Sequence, residues 1–379
     1  MVSTRLVIGG ATALAVLSTA SPSTAQIWAQ GSDRSGDPDI PTGMIYPEPH
    51  CYVDSVAGND SASGKTEAEA WASLSPAGSC GTVYLKAGSS FDSLSPRGLS
   101  VSTYGTGDRP VVNSAIMLSG TTMLEGIKVD GSGNTGIMIS GSGNVVSNCE
   151  IDGRSGSFQM GFGVMGTGNL IIGNSVHHLS AMSGDSGDMN TSGGAEAFMI
   201  MGSNNEIAYN SASEAHGPNE TLGGEEGGCY EIVNGEARSV IEDVYFHHNY
   251  CERSIGLWEG CSGNFQGTDA IQENHGIIRN VVLAYNVSVD AMWLYLIQPV
   301  NTDFDNVVFE HNTLIHTPAN DSDFTQAARN SFGLQVTEDA GYTGEISAGN
   351  IIVRNNLFWV TSGNSSGAII THRWAPRVG

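Results

Sequence analysis

Five side chains of this chain are suited to moving protons: His216, Glu225, Glu226, Glu231 and Glu259. Imidazole and carboxyl groups are the common general acids and bases. They crowd around two polar segments, "EAHGPNETLGGEEGG" (214–228) and "EGCSGNFQGTDAIQENHG" (259–276). Both are long and polar for simple connections. Glu231 is the leading candidate, because aromatic neighbours would withdraw it from water and a carboxyl in such surroundings keeps its proton more firmly. Trp258, Trp293 and Tyr295 supply those neighbours and could stack on an apolar ring face, with Gln335 beside them as a polar contact.

These residues need a scaffold, and the sequence repeats one. The frame of a short apolar run, an asparagine and a second short run recurs as "NVVSNCEID", "NLIIGNSVHHL", "NEIAYNSASEA", "DVYFHHNYCERS", "NVVLAYNVSVDA", "NVVFEHNTLIHT" and "NIIVRNNLFWVT". Aligned on Asn148, Asn174, Asn210, Asn249, Asn286, Asn312 and Asn356, it predicts a coil of three short strands with variable loops. Stacked coils pair each strand in parallel with its copy ~4.8 Å away. The seven asparagines would then form one file at a buried bend, each amide bonding its neighbours above and below. The expected fold is all-β: a right-handed parallel β-helix solenoid with an Asn ladder.

A further strand precedes each frame, at 136–140, 161–165, 197–201, 229–233, 255–259, 292–297 and 332–336. Alternation sorts their side chains. It sends Phe198, Tyr230, Ile232, Ile255, Leu257, Leu294 and Leu334 inward. It sends out one column with Met199, Glu231 and Trp293, and another with Trp258, Tyr295 and Gln335. The two polar segments would wall a groove over this face. Four residues after each asparagine, Asp152, His178, Glu214, Arg253, Asp290 and His316 read as a file of ion pairs.

Composition narrows the rest. A net charge of −24, with only Lys65, Lys86 and Lys128 as lysines, argues against nucleic acid as partner. Residues 1–25 read as a signal peptide: Arg5, the apolar run 6–17, then "STA" at 23–25. That run is too short to span a bilayer, as is every later one. The expectation is a secreted or periplasmic, monomeric protein without membrane contact. Residues 26–50 would be a linker and 51–379 the β-helix, with 51–115 as cap and first coils. Cys51 and Cys80 could pair. A Cys149–Cys251 bridge is excluded, because the coil count separates them by ~14 Å.

The repeat resembles the right-handed parallel β-helix proteins of the pectate-lyase-like superfamily. The stretch "CYVDSVAGNDSASGKTEAEAWASL" (51–74), followed by "GTVYLKAG", resembles the opening of many secreted bacterial β-helix carbohydrate enzymes. The resemblance implies a polysaccharide substrate and either hydrolysis or β-elimination. A lyase of this kind often uses a lysine or arginine base, and no lysine follows Lys128. Calcium is a possible cofactor for that alternative. A hydrolase needs two carboxyl groups, and the acid excess leans toward it. A non-catalytic glycan-binding or adhesin solenoid is the third reading.

Overall fold

The computed structural model describes residues 45–96, 98–153, 160–180, 195–216, 226–234, 240–253, 259–267, 276–291, 293–298, 302–316, 334–337, 350–360 and 370–373. Of 216, 226–227, 259–267, 293–298, 316 and 334–337 it describes the backbone. The expected signal peptide, and with it most of the expected linker, lies outside these residues, as do Glu225 and Trp258. No described helix is long and apolar enough to cross a membrane.

The chain coils as a parallel β-helix. One wall is an eleven-stranded sheet running from His50–Val53 to Ile351–Arg354, and the other walls share a seventeen-stranded sheet. Each strand pairs in parallel with its copy one coil away, as Glu206–Ala208 does with Leu170–Ile172 and with Tyr245–His247. Inward files repeat residue type, so like packs on like. Phe162, Phe198 and Tyr230 stack with ring centroids 4.9 and 5.1 Å apart, and one buried apolar cluster runs from Cys51 to Leu314.

The asparagine file is present, with one correction. The backbone N–H of Asn174 donates to Asn210 Oδ1, that of Asn210 to Asn249, and so on through Asn286 and Asn312 to Asn356. Each amide nitrogen also donates to a carbonyl one coil back, as Asn210 Nδ2 does to Ile171 O at 2.9 Å. In the first of these coils the ladder position belongs to Cys149, whose N–H donates to Asn174 Oδ1. Asn148 stands one place earlier. The file therefore holds six asparagines and a thiol, and burial pushes that thiol to a pKa of about 12. Sequence alignment mistook "SNCE" because a cysteine does not look like an asparagine. A second buried ladder, Asn144–Asn169–Asn205, was not anticipated.

The residue before each ladder position is left-handed: Asn148, Gly173, Tyr209, His248, Tyr285, His311 and Asn355 have φ between 51° and 66°. For non-glycine residues that backbone is disfavoured. Four of them compensate by stacking outside the corner. Tyr209, His248, Tyr285 and His311 form a continuous column with centroids 4.8, 5.1 and 5.0 Å apart.

Cys51 and Cys80, which the sequence allowed to pair, are bonded, as are Cys229 and Cys251, while the buried Cys149 is free. The excluded Cys149–Cys251 bridge is indeed absent. Near the N-terminal coil, Asp54 accepts the N–H groups of Val56 and Ala57 and a 2.8 Å bond from Lys86 Nζ. Burial alone would raise its pKa, but the Lys86 bond and the two amides outweigh it and hold the carboxyl below its usual range. A depressed folded pKa stabilises fully above the unfolded value of ~3.9 and is lost as pH falls through the folded one. Asp54→Asn should therefore flatten the acid limb of the stability curve below pH ~4, measured by denaturant titration. An unchanged acid limb would count against this role.

Candidate active site

Two glutamates lie buried on adjacent strands. Ala195–Ile200 and Glu226–Asn234 pair with Phe198 opposite Tyr230 and Met199 opposite Glu231. Tyr230 and Ile232 face the core, so Glu231 between them turns outward. It is nevertheless 2% exposed, and Glu196 on the preceding strand is 4% exposed. Charged side chains are almost never so deeply buried by accident of packing. The approach is close: a Cβ on Gly228, opposite Glu196, would lie 2.0 Å from Glu196 Oε2. Glycine at 228 is what lets that carboxyl lie against the neighbouring backbone. Glu196 was missed in the sequence. Its setting, "AEAFMI", reads as a strand lead-in, and only the register with Gly228 reveals its place.

The other expected residues distribute differently. The strand beside Glu226–Asn234 is Glu259–Gly267, in place of the expected 255–259, with Asn264 opposite Glu231. The first half of the expected loop 259–276 is thus strand, and 268–275 lie outside the described residues. The error has a physical source: "IGLWE" is apolar and alternating, whereas "EGCSGNFQG" carries no β-signal of its own and is held by pairing on both sides. The shift moves the aromatics. Trp293 stands opposite Cys261, and Tyr295 stands opposite Gly263, in the register file of Phe198 and Tyr230. Leu296 takes the place in Glu231's file that was expected for Trp293. The aromatic platform beside Glu231 is therefore not formed as anticipated. Gln335, opposite Leu296, does share Glu231's file, three strands on.

Glu226 and Glu259 are register partners, directly opposite on adjacent strands and five residues before Glu231 and Asn264. His216 closes the Ser211–His216 strand, opposite Ser180. The expected segment 214–228 is strand at both ends, and its residues 217–225 lie outside the described residues. Among the described residues one group has metal-ligand spacing, Asp152, His177 and His178, on a neighbouring wall. Its two nitrogens do not suit calcium, which takes oxygen ligands.

No protein-family model and no curated protein matches this chain. Solved structures do. They include a GH136 lacto-N-biosidase from Eubacterium ramulus (12% identity, TM-score 0.39, covering 82% of this chain and 68% of that one). A tailspike protein of E. coli bacteriophage HK620, in complex with pentasaccharide, gives 13% identity and a TM-score of 0.46, over 78% of this chain and 50% of that one. The catalytic domain of a GH87 alpha-1,3-glucanase in complex with nigerose gives 11% and 0.28, over 78% and 64%. At these values the likeness lends no residue a role.

Proposed function

We propose that this protein is a secreted glycoside hydrolase acting on a polysaccharide, with Glu231 and Glu196 as its carboxyl pair. The observation that carries this reading is the pair itself: two buried glutamates on adjacent strands of one sheet. Hydrolysis of a glycosidic bond needs one carboxyl held protonated and another to activate water or attack the sugar. Burial disfavours the charged form of a carboxyl, so a buried pair suits a role in which one member stays protonated. Glu231 is one strand across and three residues along from Glu196. Glu226 and Glu259, register partners on adjacent strands, become supporting candidates, as does Glu225, which lies outside the described residues.

The test is a panel of neutral and uronate polysaccharides incubated with the mature protein. New reducing ends, without the ultraviolet absorbance of an unsaturated product, are expected. An unsaturated product would replace hydrolysis by elimination. Binding without cleavage anywhere on the panel would favour the non-catalytic solenoid.

A further inference from the structure

Away from the glutamate pair, three ligand atoms converge on another wall. The Ser175–Ser180 strand lies beside Glu150–Asp152 on one side and Ser211–His216 on the other, with His177 opposite Asp152. Consecutive side chains on a strand normally face opposite ways. Here His178 is left-handed, φ 57°, and both rings turn the same way, their centroids 4.7 Å apart and nearly perpendicular. His177 Nδ1 and His178 Nδ1 come within 2.6 Å of each other. Asp152 Oδ1 is 3.5 Å from the first and 3.3 Å from the second.

The far nitrogens fix the chemistry of the near ones. His177 Nε2 meets Glu150 Oε1 at 3.3 Å, and His178 Nε2 meets Glu214 Oε2 at 2.8 Å. A carboxylate accepts but does not donate, and in the tautomer whose Nε2–H donates to these two carboxylates each ring presents a lone pair at Nδ1. Two lone pairs and a carboxylate oxygen then point at one spot. Three acceptors this close repel one another unless something positive lies among them. Ligating histidines typically donate their second N–H to a carboxylate in this way.

The dimensions fit. With sides of 2.6, 3.3 and 3.5 Å, the three atoms lie on a circle of radius about 1.8 Å. A point slightly off their plane is thus ~2.0 Å from each, the length of Zn–N and Zn–O bonds. Lys128 Nζ bonds the outer oxygen of Asp152 at 3.3 Å and Glu150 at 3.1 Å, and Arg109 reaches Glu150 at 3.3 Å. Three carboxylates against two cations leave the neutral-histidine cluster with one negative charge. Asp152, His177 and His178 keep 10, 18 and 31% side-chain exposure, so an ion can enter from solvent. Lys128, Glu150 and Arg109 also line a cleft of about 670 Å³ next to the cluster.

We infer that His177 Nδ1, His178 Nδ1 and Asp152 Oδ1 bind one divalent transition-metal ion of the zinc class, with Glu150 and Glu214 as the carboxylates that orient the two rings. Imidazole nitrogen with a single carboxylate selects such an ion over calcium or magnesium. Three protein ligands leave a fourth, open position on the ion.

The molecule contains its own control. His247 and His248 are also adjacent, with Nδ1 atoms 2.9 Å apart and a left-handed second residue. There, however, His248 is stacked between Tyr209 and Tyr285, and no carboxylate completes a ligand set among the described residues. The experiment uses tag-free mature protein, stripped with a chelator and titrated with Zn²⁺ against a chromophoric competitor. One ion per chain is expected for the wild type and for His248→Ala. Glu214→Gln, which keeps the ligands, should weaken affinity about 10–100-fold. His178→Ala and Asp152→Asn should weaken it further. Zinc-edge absorption of the wild type, which requires no variant to fold, should show nitrogen and oxygen neighbours near 2.0 Å and no sulfur. Absence of stoichiometric binding, or binding indifferent to His178→Ala and Asp152→Asn, overturns the assignment; the Nδ1 pair then shares a proton instead.

Discussion

Glu231→Gln is expected to lower turnover of the cleaved polysaccharide by about 10²–10⁴-fold while leaving KM nearly unchanged, the range for loss of a general acid or base. Glutamine keeps the size and shape of the side chain, so the buried site beside Met199 and Asn264 stays filled and the melting temperature should move little. That separation matters because Glu231 is 2% exposed, and a purely structural carboxyl in this position would lose stability before it lost rate. Glu196→Gln is expected to give a loss of similar size. If one of the two instead raises KM alone, it binds substrate and does no proton transfer. Should Glu231→Gln keep wild-type turnover on an established substrate, Glu231 is structural, and Glu226 and Glu259, opposite each other on the same two strands, are next to be tested.

The largest effect on stability is expected from Asn210→Ala. The Asn210 side chain makes four bonds. Its Oδ1 accepts the backbone N–H and the amide of Asn174 at 2.9 and 3.0 Å, and its Nδ2 donates to Ile171 O and Asn249 Oδ1 at 2.9 and 3.1 Å. Alanine leaves the Asn174 N–H, the Asn174 amide and the Ile171 carbonyl buried without these partners. Each such group costs about 1–3 kcal/mol, so a loss of about 3–5 kcal/mol is expected after partial relaxation. Asn113→Ala is the comparison. Its amide also donates a hydrogen bond, to Ser90 Oγ at 3.1 Å, but on the exposed surface, where substitutions usually stay within about 0.5 kcal/mol. Equal midpoints for the two variants in urea would mean that the ladder contributes nothing beyond surface contacts.

The architecture was legible because the asparagine frame is a backbone requirement written in side chains. A bend that buries its N–H groups needs an acceptor at the same place in each coil, and asparagine supplies both acceptor and donor. Where a different residue fills that place, as Cys149 does, the pattern slips by one. The slip also misplaced Asp152 in the expected ion-pair file. Asp152 stands opposite His177, and Gly153 takes the place beside His178. The contacts of His178 with Asp152 and Glu214 were nevertheless anticipated. The candidate site was harder to read. Glu231 could be found from alternation within "CYEIV". Glu196 could not, because its significance comes from Gly228 on another strand. The Glu259–Gly267 strand was also hidden, since pairing with its neighbours, and no propensity of its own, makes it a strand. In a solenoid each coil borrows its conformation from the adjacent ones, and single-sequence patterns weaken most where that borrowing is greatest.

The ladder also has mechanical meaning. Its backbone donors all run the same way, each coil's N–H into the side-chain oxygen of the next coil's asparagine, so the molecule is a stack with a direction. A pull on the C-terminal side would load these bonds and the sheet pairings one coil at a time, like rungs of a zipper. The intervals between ladder residues are 36, 39, 37, 26 and 44 residues. At ~3.3–3.6 Å of extended chain per residue, peeling would release lengths of roughly 9 to 16 nm per step. The unequal loops would thus be written into the force trace as unequal strides, with the disulfide between Cys229 and Cys251, which straddles Asn249, withholding part of two of them.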